Sequence, residues 1–369
     1  MTANPDSAHE ALQRRITIFD GHDGKSSVAT RLTSYNRSIM IRNRLHFLSL
    51  FSLAILVMLN PGCSKLSSVK YLKLAHGLDT THPVHKGMEF MAKLVAEKSG
   101  GKLQIEIYPS QQLGTERQCL ELLQIGSLAM TKVSAAVMEN FAPNIEVLSL
   151  PYIFKDQEHA YHVLDGEIGR KLLRQSEKYW LRGLTYFDAG QRSFYTKTKP
   201  VRTPEDLEGL KIRVQESVTA INLMRALGAA PTPISFGELY TALQQGVVDG
   251  AENNPPSFYT SRHYEVCKYY TLNEHTSVPD ILVIGTIAWN NLTPQEQQWI
   301  QEAADEATIY QRKLWQEFEQ YSLEQVEKAG VEIIRPDKSL FAAKTKQLFE
   351  NYRDRPEMYQ LIQEIQAAQ

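Results

Sequence analysis

Three polar residues that could bind a carboxylate lie in or directly after predicted strands. Arg192 stands in "DAGQRSFYT", after a predicted strand at 183–188, Arg213 stands in "LKIRV", and Asn253 stands in "VVDGAENN". Ligands of open α/β sheets bind at the carboxyl ends of strands. A guanidinium matches the two oxygens of a carboxylate, and an amide can add a hydrogen bond, so this set suits an organic acid. The alternative is that each residue forms an ordinary salt bridge or faces water.

The sequence lacks the motifs of the common catalytic and cofactor-binding protein classes. The sequence contains no G-x-S-x-G, G-x-G-x-x-G, Walker, H-E-x-x-H or C-x-x-C pattern. His82 and His85 have the spacing of metal ligands, but Pro83 between them prevents a shared face within a regular helix. We therefore predict no catalytic residues, no metal and no cofactor.

Length and composition are those of a folded protein of two or three domains. The chain has 369 residues, 43% of them apolar. Its 40 basic and 42 acidic side chains give a net charge of −2, which offers no basic excess for nucleic acid. Cys119 and Cys267 lie in apolar, periodic stretches, so we expect two buried free thiols.

The N-terminal part predicts export to the periplasm. Two arginines precede an apolar run from Leu45 to Leu59, which is shorter than the roughly 20 residues of a membrane span. We interpret 40–63 as a signal segment and 1–39 as a disordered extension or a mis-assigned start; a retained membrane anchor is the alternative. Cys63 is a lipidation candidate, although the residues just before it fit the usual lipobox poorly.

Strand and helix patterns alternate from residue 70 onward, which predicts parallel sheets in an α/β fold of two lobes. Ser235 and Glu238 predict a capping box, and Gly246 predicts the end of that helix. One helical run extends from Thr293 to Gly330, which is long for a small domain. A helix that crosses between the two lobes would explain this length.

Several ordered motifs between about Lys70 and Pro336 resemble the substrate-binding proteins of tripartite ATP-independent periplasmic (TRAP) transporters, the DctP-type family. They are "IYPSQQLGTERQCLELLQIGSL", "LSLPYIF", "GLKIRV", "GAAPTPISFGELYTALQQGVVDGAEN" and "RHYEVCKYY". Each is moderately specific, and their order and spacing strengthen the resemblance. It implies a periplasmic binding protein fold with two lobes, a hinge, a long helix across both lobes, and a ligand between them. We assign residues 64–190 plus 279–318 to lobe I and 191–278 plus 319–369 to lobe II.

The resemblance also implies roles for individual residues. In this family the arginine of "LKIRV" points into the cleft and pairs with the ligand carboxylate, which makes Arg213 that residue. Arg192 matches a second cleft arginine, and Asn253 matches an amide partner of the ligand. Glu116 matches an acidic residue of the other lobe, and Phe236 matches an aromatic residue beside the ligand.

The substrate implied by the resemblance is a hexuronate such as D-glucuronate or D-galacturonate. Sialic-acid-binding members carry a Glu and an Arg where this chain has Ser134 and Val137, so sialic acid is not expected. The stretches "HGLDTTHPVHKG", "NIEVLSLPYIF", "RSFYT" and "VVDGAENNPPSFYTSRHYEV" are most similar to hexuronate-binding members. The arginines would take the carboxylate, and His76 and Asn254 would join the other polar residues around the hydroxyls.

Alternatives remain for both the ligand and the role. A C4-dicarboxylate needs a second cation, which Lys86 or Lys132 could supply. An exported enzyme acting on uronates would need an acid–base pair, for which Glu116 and His76 are the candidates. A third hypothesis is a ligand sensor, in which the ligand-bound lobes regulate a membrane partner without transport. If the protein serves a transporter, its implied partners are the organic acid and the small and large membrane subunits. No nucleic-acid partner is expected, and the binding protein is expected to be a monomer.

Overall fold

The computed structural model describes residues 69–368, so the predicted signal segment and Cys63 lie outside the described part of the chain. The strands are β1 (Lys70–Ala75), β2 (Leu103–Tyr108), β3 (Met130–Ser134), β4 (Leu181–Phe187), β5 (Arg192–Thr196), β6 (Lys211–Val214), β7 (Ala230–Pro233), β8 (Gly250–Asn253), β9 (Tyr269–Thr276), β10 (Asp280–Gly285) and β11 (Glu332–Ile334). The α-helices are α1 (Pro83–Lys98), α2 (Glu116–Gln124), α3 (Ala135–Met138), α4 (Gln157–Asp165), α5 (Glu167–Gln175), α6 (Val218–Ala226), α7 (Leu239–Gln245), α8 (Pro255–Thr260), α9 (Thr286–Asn290), α10 (Pro294–Lys328), α11 (Lys338–Glu350) and α12 (Pro356–Ala367).

The strands form two mixed sheets. The first has the order β2-β1-β3-β10-β4, and the second has the order β11-β9-β5-β8-β6-β7. Pairs such as β1–β2 and β6–β8 are parallel, but β10 is antiparallel to both neighbours, as is β5. The prediction of parallel sheets is therefore wrong for these strands. The reason is that β5 and β10 enter their sheets from the opposite sheet and not through a helical crossover within one sheet.

Helices cover both faces of each sheet, which gives two three-layer lobes. We call the first sheet with its helices the first lobe, and the second sheet with its helices the second lobe. Short segments at 188–191 and 277–279 connect β4 to β5 and β9 to β10, so the chain crosses between the lobes there, and we call these two segments the hinge. Helix α12 packs on the first lobe through Met358, Ile362 and Ile365, although the sequence assignment placed all of 319–369 in lobe II.

Helix α10 joins the two lobes, as the long helical run predicted. It begins with a capping box between Thr293 and Glu296. Ile300 and Trp315 are buried in the core of the first lobe, whereas Val326 near its other end is buried in the core of the second. Helix α10 therefore packs against the cores of both lobes and spans the junction between them.

Local predictions were confirmed in part. Cys119 and Cys267 are buried free thiols, and Gly246 ends α7 with a φ of 74°. The capping box is absent, because a 3₁₀ turn precedes α7 and the Ser235 hydroxyl donates to the Glu238 carboxylate at 2.7 Å. In the range 69–368, no helix has the length and apolarity to cross a bilayer.

Candidate ligand-binding site

The carboxyl ends of β3, β6 and β8 meet in a cleft between the two lobes. A cavity of about 50 Å³ lies there, which is room for a few water molecules. Six of the seven residues predicted to bind the ligand line it: Arg192, Arg213, Asn253, Asn254, Glu116 and Phe236. The fold thus brings together residues from distant parts of the chain, as expected for a ligand site at strand ends.

Arg213 is a buried cation without a counter-ion among residues 69–368. Its side chain is almost fully buried, and Nε donates to the carbonyl of Ile234 at 2.8 Å. Nη1 is buried and has no hydrogen-bond partner in the described part of the chain. The guanidinium lies 5.9 Å from the ring centroid of Phe236, and burial lowers the pKa of Arg213. A buried charge in this state is costly, and an anion in the cleft would stabilise it.

Arg192, in contrast, already has a carboxylate partner. Its guanidinium forms an ion pair with Glu252 through Nε and Nη2, and Nη1 donates to Oδ1 of Asn253 at 2.9 Å. Burial alone would raise the pKa of Glu252, but Arg192 and His275 lower it to about 2. Most donors of Arg192 are therefore used inside the protein, and its direct effect is to hold the amide of Asn253.

The two asparagines at the end of β8, Asn253 in the strand and Asn254 directly after it, make different contacts. Asn253 accepts from Arg192 and from the backbone N–H of Asn254, and its Nδ2 donates to no described protein atom. Asn254 caps α8 by accepting from the N–H of Ser257 at 2.8 Å, and its Nδ2 donates to the carbonyl of Ala189 at 2.8 Å. Asn253 therefore presents a donor to the cleft, whereas the amide of Asn254 mainly ties α8 to the hinge segment.

The first lobe contributes a lysine between two carboxylates. Nζ of Lys132 lies 2.8 Å from Oε1 of Glu116 and 3.2 Å from Oδ1 of Asp280, and all three residues line the cavity. Burial alone would lower the pKa of Lys132, but the two carboxylates raise it above its ordinary value. Burial raises the pKa of Asp280 despite this lysine. Lys132, Glu116 and Asp280, which we call the acidic triad after its two carboxylates, provide carboxylate oxygens that can accept hydrogen bonds from hydroxyl groups.

Neither lysine considered for a second ligand carboxylate is free. Lys132 belongs to the acidic triad, and Lys86 is bonded to Glu89 on α1 and does not line the cavity. His76 also fails to reach the cavity. Its Nε2 shares a hydrogen bond with Nδ1 of His85 at 2.9 Å, and burial, with Lys132, lowers the pKa of His76 to about 2. His76 therefore does not line this cavity in the described structure, and its contact with the ligand stays a prediction.

Sequence reasoning missed several residues of the cavity, among them Gln111, Asp280 and Ser257. Asp280 had a local signal, because a carboxylate at the start of the apolar run "DILVIG" must be buried beside a partner. Gln111 and Ser257 both lay inside stretches used for the family resemblance, but glutamine and serine are common at protein surfaces and do not by themselves indicate a ligand contact.

Polar contacts join the two lobes around the cavity. Nε2 of His82 lies 3.2 Å from Oγ of Ser257. On another side, Oε1 of Glu139 accepts from Oγ of Ser217 at 2.6 Å and from the N–H of Thr219 at 3.1 Å, at the start of α6. These bonds bring first-lobe residues against second-lobe residues, so they form only when the two lobes approach closely.

Two larger cavities lie elsewhere. One of about 470 Å³ lies at the hinge and is lined by Arg312, and another of about 530 Å³ lies beside β4 and is lined by Arg182 and Arg312. Arg312 is paired with Asp165 and Arg182 with Glu177. Arg170 and Arg174 also line the cavity beside β4, but both are exposed to solvent, so their charges need no counter-ion. The cleft is smaller, but the unpaired guanidinium makes it the stronger candidate for an anion.

Comparisons with known proteins identify the family to which this chain belongs. The family model of bacterial extracellular solute-binding protein, family 7 (DctP) matches residues 74–355. A TRAP periplasmic solute-binding protein from Xanthobacter autotrophicus Py2, solved with β-D-galacturonate, is 38% identical; the match covers 81% of this chain and 100% of that one, with a TM-score of 0.79. A Chromohalobacter salexigens counterpart, solved with D-glucuronate, is 37% identical over 81% and 100% of the chains, also with a TM-score of 0.79.

A curated relative with a different ligand is also similar. The C4-dicarboxylate-binding periplasmic protein of Rhodobacter capsulatus is 34% identical over 263 residues, which is 70% of this chain and 78% of that protein. The extent of the family match and the shared two-lobe fold confirm the resemblance seen in the sequence motifs. The chain therefore belongs to family 7 of the bacterial extracellular solute-binding proteins, whose members include the solute-binding components of TRAP transporters.

Proposed function

We propose that this protein captures a hexuronate, such as D-galacturonate or D-glucuronate, between its lobes and delivers it to the membrane subunits of a TRAP transporter. The observation that carries the proposal is the buried Arg213, whose Nη1 lacks a partner in the cleft. A hexuronate is a single carboxylate on a ring of hydroxyls. Its carboxylate would pair with Arg213, and its hydroxyls would donate to the acidic triad and accept from Asn253.

The charges in the cleft favour this ligand over a C4-dicarboxylate. A dicarboxylate would need a second free cation, but Lys132 and Arg192 already have carboxylate partners. Its second carboxylate would instead meet Glu116 and Asp280, and like charges in a buried site repel. Similarity to the two hexuronate-bound structures supports the same choice, whereas the dicarboxylate-binding relative keeps the alternative open to test.

The geometry gives little support to an enzyme. The acid–base pair would have been Glu116 and His76, but Glu116 is bonded to Lys132, and the pKa of His76 is lowered to about 2 by burial. His76 would thus be neutral and shielded from substrate at physiological pH. We propose binding without catalysis, by a monomer in the periplasm, with export through segment 40–63; lipidation at Cys63 remains part of the proposal.

The proposed cycle includes movement of the lobes. The cavity lies between the lobes and is lined by side chains from both, so the lobes must stand further apart for a ligand to enter. Because each lobe supplies part of the site, ligand contacts favour the closed arrangement, and binding shifts the population toward it.

Titration calorimetry and thermal unfolding with a ligand panel test the proposal. The panel contains D-galacturonate, D-glucuronate, succinate, N-acetylneuraminate and, as a matched neutral sugar, D-galactose. A ligand present at 100 times its Kd stabilises the folded protein by about 2.7 kcal/mol. We expect a shift with the two uronates and none with galactose. Binding of succinate alone would keep the family and discard the hexuronate, and binding of galactose would refute the role given to Arg213.

A further inference from the structure

The loop after β2 presents Gln111 to the cleft from an unusual backbone conformation. Ser110 and Gln111 have φ values of 52° and 58°, in the left-handed region that residues other than glycine rarely adopt. The backbone N–H of Ser110 donates to the carbonyl of Leu78, and that of Gln111 donates to the carbonyl of His76, both at 3.0 Å. These bonds fix the loop to the segment after β1. Enforced strain of this kind is concentrated at functional sites.

The side chain of Gln111 occupies a space between two glycines from opposite lobes. A Cβ on Gly77 of the first lobe would lie 3.2 Å from Cγ of Gln111, and a Cβ on Gly237 of the second lobe would lie 2.2 Å from its Oε1. Neither glycine has a positive φ, so the backbone conformation does not require glycine at either position. Room for the Gln111 amide is the physical reason that remains.

The amide nitrogen of Gln111 is a buried donor without a partner. Nε2 makes no hydrogen bond to any described protein atom, although it is shielded from solvent. Gln111 lines the same cavity as Arg213 and Asn253. A buried donor left unpaired destabilises the protein, and an oxygen of a bound sugar acid can accept from it. Its Oε1 meanwhile touches Gly237 across the cleft.

We propose that Gln111 is a specificity-determining residue of this binding site. Its Nε2 donates to a ring or hydroxyl oxygen of the bound sugar acid, and its Oε1 contacts Gly237 as the lobes approach. The same side chain thereby couples recognition of the sugar ring to closure. This inference rests on the proposed binding of a hexuronate. It adds a ring contact from the first lobe, while the carboxylate is held by Arg213 of the second lobe.

Calorimetric titration of three variants with D-galacturonate and D-glucuronate tests the donor role. Gln112→Ala is the matched control, because Gln112 is exposed and does not line the cavity. We expect Gln111→Ala to raise Kd about tenfold, as one lost hydrogen bond would. Gln111→Glu should raise it further, because it adds a carboxylate without the amide donor. The ratio of the two Kd values should also change in Gln111→Ala, since the side chain reads the ring.

Gln111→Ala within twofold of wild type for both ligands would overturn the inference, as would an equal loss in Gln112→Ala. A wild-type protein that binds neither uronate would instead refute the proposed function, and the inference with it. Thermal unfolding without ligand shows whether each variant is folded, so that a loss of affinity is not mistaken for a loss of structure.

A double-mutant cycle with Gly237→Ala tests the coupling to closure. In the wild-type background, the added methyl group displaces the Gln111 amide, and we expect Kd to rise at least fivefold. In the Gln111→Ala background the space is already free, so the same change should alter Kd less than twofold. An equal effect of Gly237→Ala in both backgrounds would show that Gly237 acts without Gln111 and would overturn this part of the inference.

Discussion

The substitution Arg213→Met removes the cation of the cavity lining that lacks a carboxylate partner, and it keeps an unbranched apolar side chain of comparable reach. Lys132 and Arg192, the other cations of that lining, are held by Glu116 and Glu252. A ligand carboxylate in the variant would therefore enter a buried site without a free positive charge. Such a site discriminates against the anion that the wild-type cleft is arranged to bind.

Removing one partner of a buried ion pair costs about 3–5 kcal/mol, so we expect the Kd for a hexuronate to rise by roughly 10² to 10⁴. The ligand-free protein should respond differently, because burial lowers the pKa of Arg213 and makes its charge costly there. The variant loses one hydrogen bond, from Nε to the carbonyl of Ile234. The free energy of unfolding without ligand should therefore stay within about 1 kcal/mol of wild type.

Titration calorimetry measures the affinity, and urea unfolding without ligand measures the stability. Arg202→Met is the matched control, because Arg202 is exposed and pairs with Glu332 on the surface. A loss of affinity below about tenfold would place Arg213 outside the ligand contacts. A fall of about 3 kcal/mol in the unfolding free energy would mean that the guanidinium stabilises the fold itself, which would refute the reasoning from its missing counter-ion.

Two further substitutions test the scaffold of the cleft. Glu252→Gln leaves Arg192 buried without its counter-ion and should lower the unfolding free energy by about 3–5 kcal/mol at pH 7 in urea unfolding. Because the pKa of Glu252 is lowered to about 2, the ion pair contributes its full stabilisation to the wild type above pH 4.5, and this stabilisation is lost as the pH falls toward 2. The unfolding free energy of the variant should lack this part of the acid dependence. An identical pH profile of the unfolding free energy in both proteins would contradict the ion pair. Gly190→Ala places a Cβ 2.9 Å from Cζ2 of Trp315 at a φ of 58°, and thermal unfolding should show a loss of roughly 1–3 kcal/mol. Gly209→Ala, at a φ of 78° with no atom within 4 Å, is the control; an equal loss there would mean that the backbone conformation and not the contact with Trp315 is responsible.

Local signals predicted helices better than strand directions. The capping residues Thr293 and Glu296 marked the start of α10, because they act within one turn of the chain. The direction of β5 and β10 depends on which sheet each strand joins, and this is decided by contacts between distant segments. Periodicity along the chain carries no information about such contacts, so the mixed sheets could not be predicted from it.

The candidate site shows the same division. Arg213 could be identified from its motif, but its lack of a counter-ion depends on the whole folded cleft. The capture of Arg192 by Glu252 joins residues 60 positions apart on neighbouring strands, which no spacing rule reveals. His76 follows the first strand, where a ligand contact is plausible, yet packing against His85 turns it into a buried neutral residue.

In the proposed transport cycle, the unpaired guanidinium would also disfavour encounters between empty molecules and the membrane subunits. When the lobes approach without cargo, Arg213 is buried without an anion, and a cost of about 3 kcal/mol would lower the population of empty closed molecules roughly 150-fold. A membrane partner that recognises the closed form would then meet mainly loaded molecules, even where empty copies are in large excess. Neutral sugars that fit the cleft by shape would leave the charge uncompensated. In that cycle, the same electrostatic cost would distinguish loaded from empty molecules and acidic from neutral sugars.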